Sequence, residues 1–186
     1  MFKHLLIILI VVSLPVSALA ASKTERRKAD ILETRDNVLS ELYAKKPHTK
    51  EDLENAEGYA VFTNVGVNVI FLSAAGGKGV AHDNKSNKNT FMRMASAGVG
   101  IGLGIKDFRA VFIFHKRSAF DQFVDKGWDL SGQADAAAKS GEKGGEANVA
   151  VDIGSGVTVY QMTETGLALQ ATLQGTKYWQ YDKLNR

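Results

Sequence analysis

The sequence predicts an α+β protein: N-terminal helices, then a mostly antiparallel β-sheet or barrel-like unit with one short helix inserted. Three observations carry this expectation. Residues 22–46 place apolar side chains at the three-and-four spacing of one helical face. From Tyr59 onward the chain reads as successive apolar runs separated by short turns, the mark of antiparallel strands. The stretch 97–105 sets glycine at every second position from Gly98 to Gly104, with Ala97, Val99, Ile101, Leu103 and Ile105 between them. As a strand it has one aliphatic face and one nearly bare face, since side chains alternate. Glycine weakens a strand interior, so the bare face implies a close neighbour: another strand, a helix or a ligand.

The chain opens with Lys3 and His4, an apolar run over 5–14, Pro15, and the small-x-small triplet Ala18-Leu19-Ala20. This is the pattern of an export signal over 1–20, with cleavage between Ala20 and Ala21. The run is short of the roughly 20 residues a spanning helix needs. The remaining 21–186 suffices for one domain with one core. No cysteine is present, which excludes disulfides, thiolate metal sites, cysteine nucleophiles and a lipidated cysteine. The formal charge of +3 falls to near balance once Lys3 is removed. Bulk charge therefore gives no reason to expect nucleic acid.

Two segments are expected from here: an amphipathic helix over 21–48 and a β-rich domain over 49–186. On the helix, Ile31, Leu32, Val38, Leu39, Leu42 and Tyr43 share a face that only Arg35 interrupts. Arg26, Arg27 and Lys28 make its start basic, while Glu25, Asp30, Glu33, Asp36 and Glu41 dilute that charge. Two readings stay open. The stripe packs on the domain, or it lies on a membrane surface with its basic end among anionic headgroups. Pro47 ends the helix, Thr49 and Asp52 form a capping-box-like start of a second, and Gly58 suits its C′ position.

Strands are then expected over 59–62 and 65–75, with 76–79 (Gly-Gly-Lys-Gly) as a turn or bulge. A polar loop spans 83–89, Lys106-Asp107 is a compact turn, and 109–115 is a β-branched and aromatic strand. Ser118 and Asp121 suggest a helix start, and Gly127 its end. Further strands are expected over 129–138, 147–153, 157–162 and 167–173, with a Gly/Lys/Glu loop at 139–146 and an aromatic, basic tail over 174–186. The strands through 115 read as a meander. No internal repeat or interdomain linker is evident.

Catalytic signatures fail one by one. The 76–79 segment resembles a phosphate loop, but Gly79 stands where Ser or Thr would hold magnesium. The glycine strand is no dinucleotide fingerprint, since Leu103 occupies the third glycine position. Ser155, between Gly154 and Gly156, is a turn residue and not a nucleophile elbow. His48, His82 and His115 lack metal-ligand spacing, and Lys85 spoils a calcium-loop reading of 83–87. No enzyme, cofactor or metal is expected. What remains is a set of cations beside turns and glycines: Lys78, Arg93, Lys106, Arg109, Lys116 and Arg117. Cations beside bare backbone N–H groups suit an anion. Ordinary surface charge is the other reading. Lys78, alone among three glycines, ranks first.

The order of several pieces resembles the SYLF-domain family over roughly residues 49–183. They are Leu53 with Gly58-Tyr59-Ala60-Val61-Phe62, then Gly76-Gly77-Lys78-Gly79-Val80, then the Gly98-to-Gly104 alternation with Asp107. Val111-Phe112-Ile113-Phe114, Phe120 with Phe123, Gly132-Gln133-Ala134-Asp135-Ala136, Val159-Tyr160 and Gly166-Leu167-Ala168 complete them. The resemblance implies a non-enzymatic lipid-binding domain, whose yeast members also bind actin and whose eukaryotic members bind phosphoinositides. For an exported bacterial member it implies phospholipid in general. In eukaryotic members an N-terminal helix helps engage the membrane, and 22–46 occupies that place. The expected partner is thus membrane phospholipid at a periplasmic or external surface, held by the six cations together with Arg26, Arg27 and Lys28. A protein-interaction module, binding an actin-like filament or an envelope protein, is the alternative. A lipid hydrolase is a third reading, against which the missing nucleophile motif stands.

Overall fold

The computed structural model describes residues 22–69, 72–99, 108–129, 151–152, 156–163 and 176–186 of the 186. Helix α1 (Lys23–Lys45) starts where Ser22 Oγ accepts the Glu25 N–H at 3.2 Å. It ends where the Lys46 N–H closes on the Leu42 carbonyl at 2.7 Å, just before Pro47. Helix α2 (Thr49–Asn55) follows. Thr49 is not its cap, as the capping-box reading had it. His48 holds that position, and the buried Thr49 hydroxyl donates to the Lys46 carbonyl at 2.7 Å. With so short a connection, the nearest acceptor is an orphan carbonyl at the end of α1.

The sheet is antiparallel throughout. Its strands are β1 (Gly58–Val69), β2 (Leu72–Asp83), β3 (Lys88–Val99), β4 (Phe108–Phe114), β5 (Trp128–Asp129), β6 (Val151–Asp152), β7 (Val157–Thr163) and β8 (Thr176–Gln180). Their order among the described residues is β5-β8-β3-β2-β1-β4-β7-β6.

Four sequence expectations need correction. Gly58 opens β1 instead of ending α2, and 59–62 and 65–69 are one strand whose partner begins at Leu72. Residues 76–79 are no turn: they lie mid-strand in β2, paired on both sides. The meander stops at β3, because β4 pairs with the far side of β1. The tail contains β8, which pairs with β3, and a 3₁₀ turn at Asp182–Leu184. Of the glycine alternation, 97–99 pairs with 72–74. Gly100, Gly102, Gly104 and the Lys106-Asp107 turn lie outside the described residues, as do most of 129–138 and all of 139–146 and 167–173.

Helix α3 (Arg117–Lys126) starts from Lys116, not Ser118, and ends at Gly127, whose φ of 70° explains the glycine. It packs inside the curl of the sheet. Period-two alternation aims Ala60, Phe62, Phe112, Phe114, Met92, Met94, Val159 and Tyr178 at it. The Phe123 ring lies 5.0–6.0 Å from the rings of Phe62, Phe112, Phe114, Trp128 and Tyr178. Gly77 and Gly79 face the same core, and a Cβ on either would come closer than 3.0 Å to backbone and side-chain atoms. The intervening positions face the opposite, outer side. There Val61, Val111, Ile113, Tyr160 and Met162 pack against Val38, Leu39 and Leu42 of α1 and Leu53 of α2. Ile31 packs with Val80, Phe91 and Leu184.

Two polar clips fix the ends. Asp83 accepts from Arg117 Nη1 and Nη2 at 2.8 and 2.9 Å, tying β2 to α3. The Asn185 side chain bonds both the N–H and the carbonyl of Phe91 at 2.8 Å, extending β3's ladder on the C-terminal side.

Candidate functional site

Strand register creates the feature that matters most. On the outer face, one lateral row crosses six strands: Met162, Arg109, Thr63, Lys78, Arg93 and Trp179. Neighbours in such a row have Cβ atoms about 4.5–5.5 Å apart. From Thr63 to Trp179 the row lies one step beyond the positions that α1 covers, Val61, Val80, Phe91 and Val111, whereas Met162 at its other end is itself buried against α1. Three of the cations singled out from the sequence, Lys78, Arg93 and Arg109, are therefore brought together from three separate strands.

Their surroundings differ. Arg109 is half-buried and pairs with Glu41 of α1. The Lys45 hydrogen bond, with the Arg109 charge, holds the Glu41 carboxyl below its usual range against the opposing effect of burial. Lys78 is exposed and makes no ion pair among the described residues. Arg93 is exposed, its guanidinium 4.5 Å above the Tyr181 ring, and it too lacks a carboxylate partner among the described residues. Beside Lys78, a cleft of about 180 Å³ opens between α1 and the sheet, bordered by Thr34, Arg35, Thr63 and Asp30. Arg35 donates to Asp36 at 2.8 Å and to Asn89 at 3.4 Å.

The other candidates fall elsewhere. Arg26 and Arg27 are exposed on the first turns of α1. Lys28 pairs with Glu25 at 3.3 Å and reaches over Phe91, two residues along β3 from Arg93. Lys116 and Arg117 begin α3, on the inner side of the sheet. The Lys116 stem lies over Gly156, and Arg117 is engaged by Asp83 and Asp121. Arg117's hydrogen bonds, with the N–H groups of Lys85 and Ser86, drive the Asp83 carboxyl far below the usual carboxylate range. Lys106, Ala20 and Ala21 lie outside the described residues.

His48, His82 and His115 have separate partners: Tyr160, Asn89 and Thr158, in that order. Among the described residues no group of three His, Asp or Glu could hold a metal ion, and no helix is long and apolar enough to cross a membrane. Of the two readings of α1, the folded chain uses the first. Its apolar stripe is buried on the sheet, at about 1.5–3 kcal/mol for each large side chain. Moving that stripe to a bilayer would forfeit a gain of similar size.

Sequence reading did not find Thr63, Arg35 or Trp179. The period-two pattern of Lys177, Trp179 and Tyr181 against Thr176, Tyr178 and Gln180 was the available signal for β8. Its short length beside a charged terminus hid it.

Helices on both faces of a curled antiparallel sheet, with an open basic row on one side, make this an α+β binding domain. Residues 95–186 match the family model Ysc84, described as Las17-binding protein actin regulator. Over these residues the chain carries the domain of this family, the SYLF domain. It is 34% identical over 144 residues to Beta cell expansion factor A of Aeromonas veronii, an alignment covering 77% of this chain and 53% of that protein. The chain thus spans about half the length of this curated relative.

Proposed function

We propose that the protein is an exported, non-enzymatic module that binds phospholipid headgroups at a membrane surface, with Lys78 and Arg93 as the principal contacts. The observation that carries this reading is their direct cross-strand pairing. Like charges placed opposite one another on a strand pair destabilise it, by roughly 0.2–1 kcal/mol. Arg109 in the same row has Glu41 to offset its charge, whereas Lys78 and Arg93 have no such carboxylate among the described residues. An arriving phosphate would offset both charges at once. Lys28, whose ammonium lies over Phe91 of β3, adds to the local field on the same face, and Arg26 and Arg27 at the exposed start of α1 are proposed as further contacts. The SYLF domain supports a binding module, and the 1–20 segment supports export, with the mature chain starting at Ala21.

Flotation of the mature protein with phosphatidylglycerol vesicles at low salt tests the reading. Co-flotation that weakens as salt rises is expected, since exposed charges are screened. Failure to float with any anionic vesicle would remove the headgroup role. Recovery of the exported protein with its N-terminus at Ala21 is the matching test of the leader. Esterase and phosphatase screens should be silent. The family model's description favours a second reading, binding to an actin-like filament or an envelope protein, which co-sedimentation would reveal.

A further inference from the structure

The row of cations ends in an aromatic corner. Trp179 lies directly opposite Arg93 on β8, and it is the large hydrophobic left exposed among the described residues, at 40%. Tyr181, two residues on, carries the Arg93 guanidinium on its ring at 4.5 Å. On the side away from α1, the next lateral row contains Gly76, Ala95 and Lys177. Gly76 has nothing within 4 Å of where a Cβ would stand, and Ala95 is exposed. This corner is therefore a shallow floor of small residues with a Trp standing at its rim, next to a cation held by a second aromatic ring.

We infer that Trp179 is an interfacial anchor, which enters the headgroup layer of an anionic phospholipid bilayer while Arg93 and Lys78 contact the phosphates. The chemistry fits that occupant. A Trp ring presents an apolar body and one N–H, and it settles where one end is dry and the other wet. A protein pocket would have to supply a matching cavity, whereas a bilayer interface accepts a single protruding ring. The adjacent cations supply charge complementarity to anionic lipid, whose surface potential attracts Lys and Arg close to it. Headgroup contact alone would leave the protein free to roll on its basic face. A ring at one end of the row fixes which way the domain faces and how close it sits.

This inference rests on the headgroup reading, and its test separates the two. The chain has two tryptophans, and Trp128 packs against the α3 core, so the emission of Trp179 can be isolated. The mature protein is titrated with vesicles of equal parts phosphatidylglycerol and phosphatidylcholine, with brominated acyl chains in a parallel series. A blue shift and bromine quenching are expected in the native protein and absent in Trp179→Phe, read against the unchanged signal of Trp128. Trp179→Ala should weaken vesicle binding about tenfold with little change in melting temperature. Flotation without any change in Trp179 emission would overturn the anchor and leave headgroup binding standing. Absence of flotation would remove both. An emission shift with filamentous actin but not with vesicles would overturn the anchor in favour of a protein partner.

Discussion

Gly79→Ala tests whether 76–79 is a packed strand or a pliable turn. A Cβ at Gly79 would meet the Val61 carbonyl and the Phe62 ring closer than 3.0 Å. The carbonyl belongs to the β1–β2 ladder and cannot rotate away. Phe62 is fully buried against Phe112, Phe123 and Tyr178, so it cannot swing aside. Overpacking of this kind costs about 1–3 kcal/mol. Replacing glycine also removes freedom from the unfolded chain, which offsets about 0.4–1 kcal/mol. The net loss is roughly 1–2 kcal/mol, a fall of about 2–8 °C in melting temperature for a chain of this size. Gly76→Ala, three residues away with open space around it, should be neutral or raise the melting temperature slightly. Thermal melts of both variants followed by circular dichroism check this. Equal behaviour of the two would refute the inward packing of Gly79 and restore the turn reading.

Two further outcomes concern the core and the clip. Phe123→Ala should lose about 3–5 kcal/mol in urea unfolding, because five rings converge on that side chain. A loss under about 1 kcal/mol would mean that α3 does not organise the inner core. The Asp83 carboxyl is held below its ordinary value of 3.8 by Arg117. A depressed folded value contributes stability that is complete above the ordinary value and is lost as pH falls below it. The native protein should therefore lose stability below about pH 4, and Asp83→Asn should be less stable at pH 7 with a flatter acid limb. Parallel pH–stability curves for the two proteins would exclude the clip.

Much of the secondary structure was legible in local patterns. The α1 stripe, the ends of α1 and α3, and β4 follow from spacing, Pro47, Gly127 and β-branched runs. What could not be read was pairing. Nothing near residue 108 announces that β4 returns to β1, since that choice depends on burying Phe112 and Phe114 beside Phe62. Glycines in 76–79 suggested a turn because glycine is usually a conformational signal. Here Gly77 and Gly79 are steric, making room for Met94 and Phe62. The candidate site divided in the same way. Lys78, Arg93 and Arg109 were named from the sequence, but only register puts them in one row with Trp179. Arg117, chemically alike, is turned to the other side by α3 and held by Asp83.

The central claim is that the open pair of Lys78 and Arg93 is kept for an anionic surface at some cost to the fold. Lys78→Glu separates binding from stability. It removes a favourable contact with the surface and adds a repulsive one, each about 1 kcal/mol, so affinity for phosphatidylglycerol vesicles should fall about 30-fold at low salt. It also puts opposite charges face to face on β2 and β3, which should leave the melting temperature unchanged or raise it. Vesicle affinity equal to that of the native protein, in a variant that melts no lower, would contradict the account.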